Sequence, residues 1–126
     1  MRPKSLAEVA RLAAAGESFD LCLANFLDEF YYAPNAMALN ASPAPLEPVL
    51  GELGRVQDAY LAATAEELAR AYALVLPLWT EEAGRKLHRP WFASSLGGLR
   101  AVLLLESPPG FRSRNLFVSE NALSRA

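Results

Sequence analysis

Residues 91–126 read WFASSLGGLRAVLLLESPPGFRSRNLFVSENALSRA and contain the longest apolar run of the chain, Leu99 to Leu105, broken only by Arg100. A run this dense offers no polar stripe to water, so it must be nearly surrounded, with the amphipathic segments before it as packing partners. The core is therefore expected to centre there, with Leu103 and Leu104 both buried. Leu, Ala and Arg are good helix formers and Ser107-Pro108-Pro109 stops the run, which predicts a helix from Gly97 to about Glu106; a strand is the alternative. Ser107 and Pro108 then read as the N-cap and first residue of a short helical turn, with Phe111 inside and Arg112 and Arg114 outside. Asn115 is expected to end that turn in the left-handed conformation. Leu116-Phe117-Val118 should be extended or buried, and residues 119–123 a closing helical turn.

Outward from this segment, nearly every apolar stretch follows the helical period. Ser5-Leu6-Ala7-Glu8 has the capping-box form, and Leu6, Val9, Ala10 and Ala13 share one face, predicting a helix from Leu6 to about Ala15 that Gly16 terminates. Ser18 or Asp20 starts a second helix, with Leu23, Phe26, Leu27, Phe30 and Tyr31 on one stripe and Asp20, Asp28 and Glu29 on the other side. Residues 33–48, APNAMALNASPAPLEP, carry four prolines and sustain neither period. They predict a long loop, packed or mobile, anchored by Met37 and Leu39 and a candidate recognition surface. Val49, Leu50, Leu53, Val56, Tyr60 and Ala63 define a third helix. Thr64-Ala65-Glu66-Glu67 repeats the capping-box form, so a break near Thr64 and a fourth helix are expected, one continuous helix being the alternative. Pro77 to Trp79 is a packed connector, and Thr80-Glu81-Glu82 a further helix start.

The fold expected is an all-α single domain spanning residues 1–126, a bundle of about five to seven helices with a long proline-rich loop. A chain of 126 residues with 52% hydrophobic and 21% charged residues has the composition of one folded domain. No apolar run approaches the ~20 residues that cross a bilayer, so no membrane role is expected. The first residues carry Glu8 and Arg11 where a leader needs an apolar stretch, which leaves the cytoplasm as the expected compartment. The single cysteine, Cys22, lies among Leu21, Leu23 and Phe26 and reads as a buried thiol.

Charge is divided along the chain. Up to Glu82 there are twelve carboxylates and five cations; from Ala83 onward seven cations face two carboxylates. The two portions should attract each other or separate partners. Arg85, Lys86, His88 and Arg89 precede Trp91, and Arg112 and Arg114 lie between Phe111 and Phe117. Arginine forks beside aromatic rings suit carboxylates, phosphates or stacked bases, which makes Arg85, Arg89, Trp91, Arg112 and Arg114 the candidate partner-binding residues. The competing reading is internal, with bridges to Asp58, Glu66 or Glu67. His88 has no accompanying base-nucleophile pattern, Gly97-Gly98 lacks the rest of a phosphate loop, and the acidic face has no nearby histidine. No catalytic, metal or cofactor residue is therefore assigned, and no cofactor is expected.

The segment FRSRNLFVSENALSRA, together with SLAEVARLAAAGESFDLCLANFLDEFY, resembles small bacterial helical proteins encoded beside nucleotidyltransferase-like toxins. That resemblance implies an antitoxin-type interaction role rather than an enzyme, and it brings no functional residue with it. The favoured expectation is a non-catalytic interaction or regulatory protein with a protein partner, self-association remaining open. One alternative is a nucleic-acid-binding module built on the C-terminal arginines. The other is a small-ligand-binding protein or enzyme in which His88, Asp28 or Tyr31 lines a pocket.

Overall fold

The computed structural model describes residues 2–94 and 97–125 and is mostly helical. Its α-helices are α1 Leu6–Ala14, α2 Phe19–Tyr32, α3 Met37–Asn40, α4 Glu47–Leu50, α5 Glu52–Ala71, α6 Gly97–Glu106 and α7 Pro109–Arg112. Two 3-10 turns, Leu78–Glu81 and Ala83–Arg85, lie between α5 and the only strands among the described residues, β1 Trp91–Phe92 and β2 Leu116–Phe117. These pair in parallel, Trp91 opposite Leu116 and Phe92 opposite Phe117.

Local chemistry sets the first two helices. The Glu8 amide donates to Ser5 Oγ at 3.1 Å, while the Glu8 carboxylate takes the amide of Lys4 rather than that of Ser5, a variant of the capping box. Gly16 leaves α1 at φ +106, and Ser18 caps α2 by accepting from the Leu21 amide. The expected stripes are buried, Leu6, Val9, Ala10 and Ala13 on α1 and Leu23, Phe26, Leu27 and Phe30 on α2, except that Tyr31 is only half-buried.

The core does not centre on Leu99–Leu105. It centres on α5, where Ala59, Leu61, Ala62, Ala63, Thr64 and Ala65 are all fully buried. One apolar cluster joins α1, α2, α3 and Trp79 to Leu61, Ala62, Ala65, Leu68 and Ala69. A second joins Phe111, Leu116, Val118 and Leu87 to Ala59 and Ala63, and Tyr60 packs against both. In α6 Leu103 is 8% exposed, but Leu99, Val102, Leu104 and Leu105 are 45%, 43%, 48% and 83% exposed. The apolar run met no second layer, because the aromatic and alanine-rich surfaces of α2 and α5 had already formed the interior.

The expected break at Thr64 is absent, and α5 runs continuously through it. The Thr64 hydroxyl donates to the Tyr60 carbonyl one turn back at 2.8 Å, so it is satisfied within the helix instead of capping a new one. The bend falls earlier, at Gly51, whose φ of +66 separates α4 from α5. The proline-rich stretch is packed and contains α3. Leu39, Pro43 and Leu46 are buried, whereas Met37 is 78% exposed and anchors nothing. Trp79 holds the stretch by donating from Nε1 to the Leu39 carbonyl at 2.9 Å. Ser107 does not cap α7. It is buried against β2, donating to the Leu116 carbonyl at 2.8 Å and accepting from the Val118 amide. Asn115 is left-handed as expected, with φ +63.

No helix of the described chain is long and apolar enough to cross a membrane.

Two substitutions test this arrangement by thermal or denaturant unfolding. A Cβ at Gly54 would lie inside contact distance of the Leu46 carbonyl. Backbone cannot swing aside, so Gly54→Ala is expected to lose about 2 kcal/mol despite a helix-propensity gain of about 1 kcal/mol. Leu103→Ala should cost about 2 to 4 kcal/mol, while Leu104→Ala stays within about 0.5 kcal/mol of the native protein.

Candidate partner-binding surface

The five residues singled out by their arginine-aromatic pattern do not form one surface. Arg85 and Arg114 are turned inward, 3% and 5% exposed, whereas Arg89 and Arg112 are exposed and Trp91 is half-buried in β1. The expectation that Arg114 lies outside α7 is thus corrected. Phe111 is buried as predicted, but the turn after α7 carries Arg114 under the chain toward α5.

Each inward arginine organises a junction. Arg114 Nη1 donates to Glu66 Oε1 at 2.7 Å and to the Gly110 carbonyl at 2.8 Å, and Nη2 donates to the Thr80 carbonyl at 3.2 Å. Glu66 also holds Arg70 at 2.6 Å, and Glu67 accepts the Gly110 amide at 2.8 Å, so α7 is clamped to α5 by two adjacent carboxylates. Arg85 lies 3.7 Å from the Asp58 carboxylate, stacks 4.9 Å from the Trp79 ring centroid and donates to the Pro43 carbonyl. Asp58 in turn accepts the amides of Leu46 at 2.7 Å and Glu47 at 3.1 Å, closing the turn into α4. Arg125 completes the set with a forked pair to Asp28 at 3.0 and 3.3 Å. All three ion pairs join the basic C-terminal portion to the acidic portion, which is where the charge division of the sequence goes.

The electrostatics follow burial. Burial pushes the Asp58 carboxyl above its usual range, opposed by the two amides and Arg85; burial also lowers Arg85, with Asp58 and Glu82 opposing. At Glu66 burial acts upward, but the guanidinium groups of Arg114 and Arg70 together outweigh it and hold the carboxyl below its usual value.

Arg85 and Arg114 line a cleft of about 490 Å³ together with Lys86 and His88, and Glu81 and Glu82 share that cleft. Arg112 uses one N–H on the Ser107 carbonyl. Among the described residues no group of three His, Cys, Asp or Glu side chains is arranged to hold a metal. Tyr31 donates to the Leu123 carbonyl at 2.8 Å, and Cys22 is buried with its thiol pushed up, first by burial and then by Glu17.

The feature that sequence reasoning missed is the outer face of α6. Arg100 is its only cation and stacks 5.1 Å from the Phe92 ring centroid, and Glu106 closes the helix through contacts to Ser119 and the Glu120 amide. Leu99, just before Arg100, and Val102, Leu104 and Leu105, between Arg100 and Glu106, stand exposed. No residue type in α6 marks it: a helix without a polar face is a core helix only if the chain supplies enough elements to enclose it.

Replacing Arg114 by Gln should cost about 3 kcal/mol, because Glu66 remains partly buried with one partner fewer. Glu66 is lowered in the folded state, so its pairing stabilises the fold above the usual glutamate value of 4.5 and is lost as pH falls through the lowered folded value. Asp58, raised, acts in the opposite sense. Urea midpoints measured between neutral and acid pH should therefore show a smaller acid-dependent loss in Arg114→Gln than in the native protein. No protein-family model, curated protein or solved structure matches this chain.

Proposed function

We propose that the protein is a non-catalytic interaction or regulatory protein, antitoxin-like in working by occupation of a protein partner, and that α6 is its docking element. The observation that carries this reading is the exposure of Leu99, Val102, Leu104 and Leu105 on one ten-residue helix. Contiguous apolar surface of this kind is costly to leave in water and marks contact surfaces. Leu99, Val102 and Leu105 recur every three residues and so share one side of α6, as the anchors of helix-in-groove recognition do. The exposed Arg112, held on the Ser107 carbonyl just past α6, supplies a polar contact at the rim, where charge steers association more than it adds affinity. The nucleic-acid alternative loses support, since Arg85 and Arg114 are committed to Asp58 and Glu66.

The double variant Leu104→Glu/Leu105→Glu tests the assignment. Both positions are exposed, so the melting temperature should stay within a few degrees of the native protein, corresponding to less than about 1 kcal/mol. A partner retained by the native protein in its host should be lost by the variant and kept by Arg112→Gln. Retention by the α6 variant overturns the docking role. A native dimer that becomes monomeric in the variant would replace the foreign partner by a second copy of this chain.

A further inference from the structure

Helices α2 and α5 lie side by side and run the same way, Phe19 meeting Tyr60 near one end of the seam and Phe30 meeting Tyr72 near the other. Residues 119–125 lie over this seam as a short turned segment, the Ala122 amide donating to the Ser119 carbonyl and the Ser124 amide to the Asn121 carbonyl. None of these residues is buried, whereas Val118 just before them is 2% exposed. The segment is thus a surface occupant of the seam and not part of the core.

Its fastenings are those by which a folded surface reads a short peptide. Leu123 packs against both apolar clusters, and its carbonyl accepts the Tyr31 phenol at 2.8 Å. Two residues on, Arg125 forks onto Asp28 at 3.0 and 3.3 Å. An apolar anchor, a held backbone carbonyl and a bidentate guanidinium together specify a pattern of residues.

The occupant also fills the seam poorly. On one side of it a cavity of about 610 Å³ is lined by Phe19, Leu27, Val56 and Tyr60 and, from the segment, by the small side chains of Ala122 and Ser124. On the other side a cavity of about 480 Å³ lies between Tyr31, Leu68, Tyr72 and Leu123. An exposed ion pair holds little in water, and Arg2 remains 3.7 Å from Asp28 when Arg125 leaves, so release strands no carboxylate. A chain with bulkier side chains would cover more of the apolar wall than residues 119–125 do.

We infer that the seam between α2 and α5 is a recognition site for a protein segment carrying leucine and, two residues later, arginine, with a bulky apolar residue just before the leucine, and that residues 119–125 occupy it in cis and keep partners out. Ala122-Leu123-Ser124-Arg125 presents that pattern with its bulky residue reduced to alanine. The site shares no residue with the exposed face of α6 and does not rest on the docking role of that helix.

The test supplies the segment in trans. The variant Leu123→Ala/Arg125→Gln loosens the cis occupant by changing two side chains that are not buried. The end-blocked peptide ENALSR, residues 120–125, is titrated into ¹⁵N-labelled protein. The indole resonance of Trp91, which lines the larger cavity, reports binding, and that of Trp79, bonded to the Leu39 carbonyl, is the internal control. The variant should bind the peptide about tenfold or more tighter than the native protein, whose own segment competes at an effective concentration of about a millimolar or above. Arg125→Gln in the peptide should weaken binding about threefold to fivefold, and that loss should vanish once Asp28→Asn is added to the protein variant. Ala122→Phe in the peptide should tighten binding severalfold. Four results would each overturn the inference: a variant that binds ENALSR no better than a scrambled peptide, equal binding by native protein and variant, an arginine preference that survives Asp28→Asn, or no gain from the phenylalanine. If the double variant fails to fold, Arg125→Gln alone, which alters only the exposed fork, carries the same comparisons.

Discussion

The structure depends on one constraint, that α5 must be covered on all sides. Six residues in the middle of this helix are fully buried, four of them alanines, and short side chains let neighbours approach from opposite directions at once. On one side α2 meets α5 through aromatic rings, Phe19 edge-on to Tyr60 at 6.1 Å and Phe30 edge-on to Tyr72 at 5.3 Å. On the other side Phe111 meets Tyr60 at 4.9 Å. Edge-to-face rings span gaps that alanines leave and favour particular orientations over mere burial. Gly54 extends the same logic to the start of the helix, where backbone of the α4 turn lies against it with no room for a methyl group.

A helix enclosed in this way also explains why buried charge is tolerated. Asp58 and Glu66 lie on α5 itself, and the arginines that answer them come from a short 3-10 turn and from the turn after α7. Such pairs are weak evidence for stability, since desolvation offsets much of the attraction. Their effect is positional: a short segment carrying Arg85 or Arg114 has one low-energy place to lie against α5.

Much of this was legible in the sequence, and the limits have physical causes. The first two helices could be read because cap, stripe and terminator agree, with Ser5, the Leu6–Ala13 face and Gly16 all pointing the same way. Asn115 could be read because few residues tolerate a positive φ. Thr64-Ala65-Glu66-Glu67 misled because a capping box and a back-bonded threonine inside a helix share one pattern; only the alanines around it, enclosed in the fold, decide between them. Leu99–Leu105 misled because hydrophobicity states a preference for burial and not whether a partner exists within the chain. Arg85 and Arg114 were picked out as recognition residues by chemistry that serves equally well inside the molecule, and the internal alternative with Glu66 and Asp58 is the one found. For the candidate docking face, no residue type in α6 signals exposure, so it emerged only once the rest of the core was complete.

The segment that covers the second side of α5, residues 111–118, is made well after α5 itself; Arg114 ties it to Glu66 across 48 positions, and the residues that follow are tied to α2 across 92 and 97. While the chain is emerging, Ala59, Ala63 and the outer side of Tyr60 therefore lack most of their packing partners, Phe111, Leu116 and Val118. The nascent protein carries a sticky helix flank until residues 111–118 leave the ribosome, and α6 emerges just before the segment that closes that flank. A chain with this order of assembly should depend on chaperone capacity during translation more than its small size suggests, and a stalled or truncated product should aggregate rather than persist as a partly folded domain.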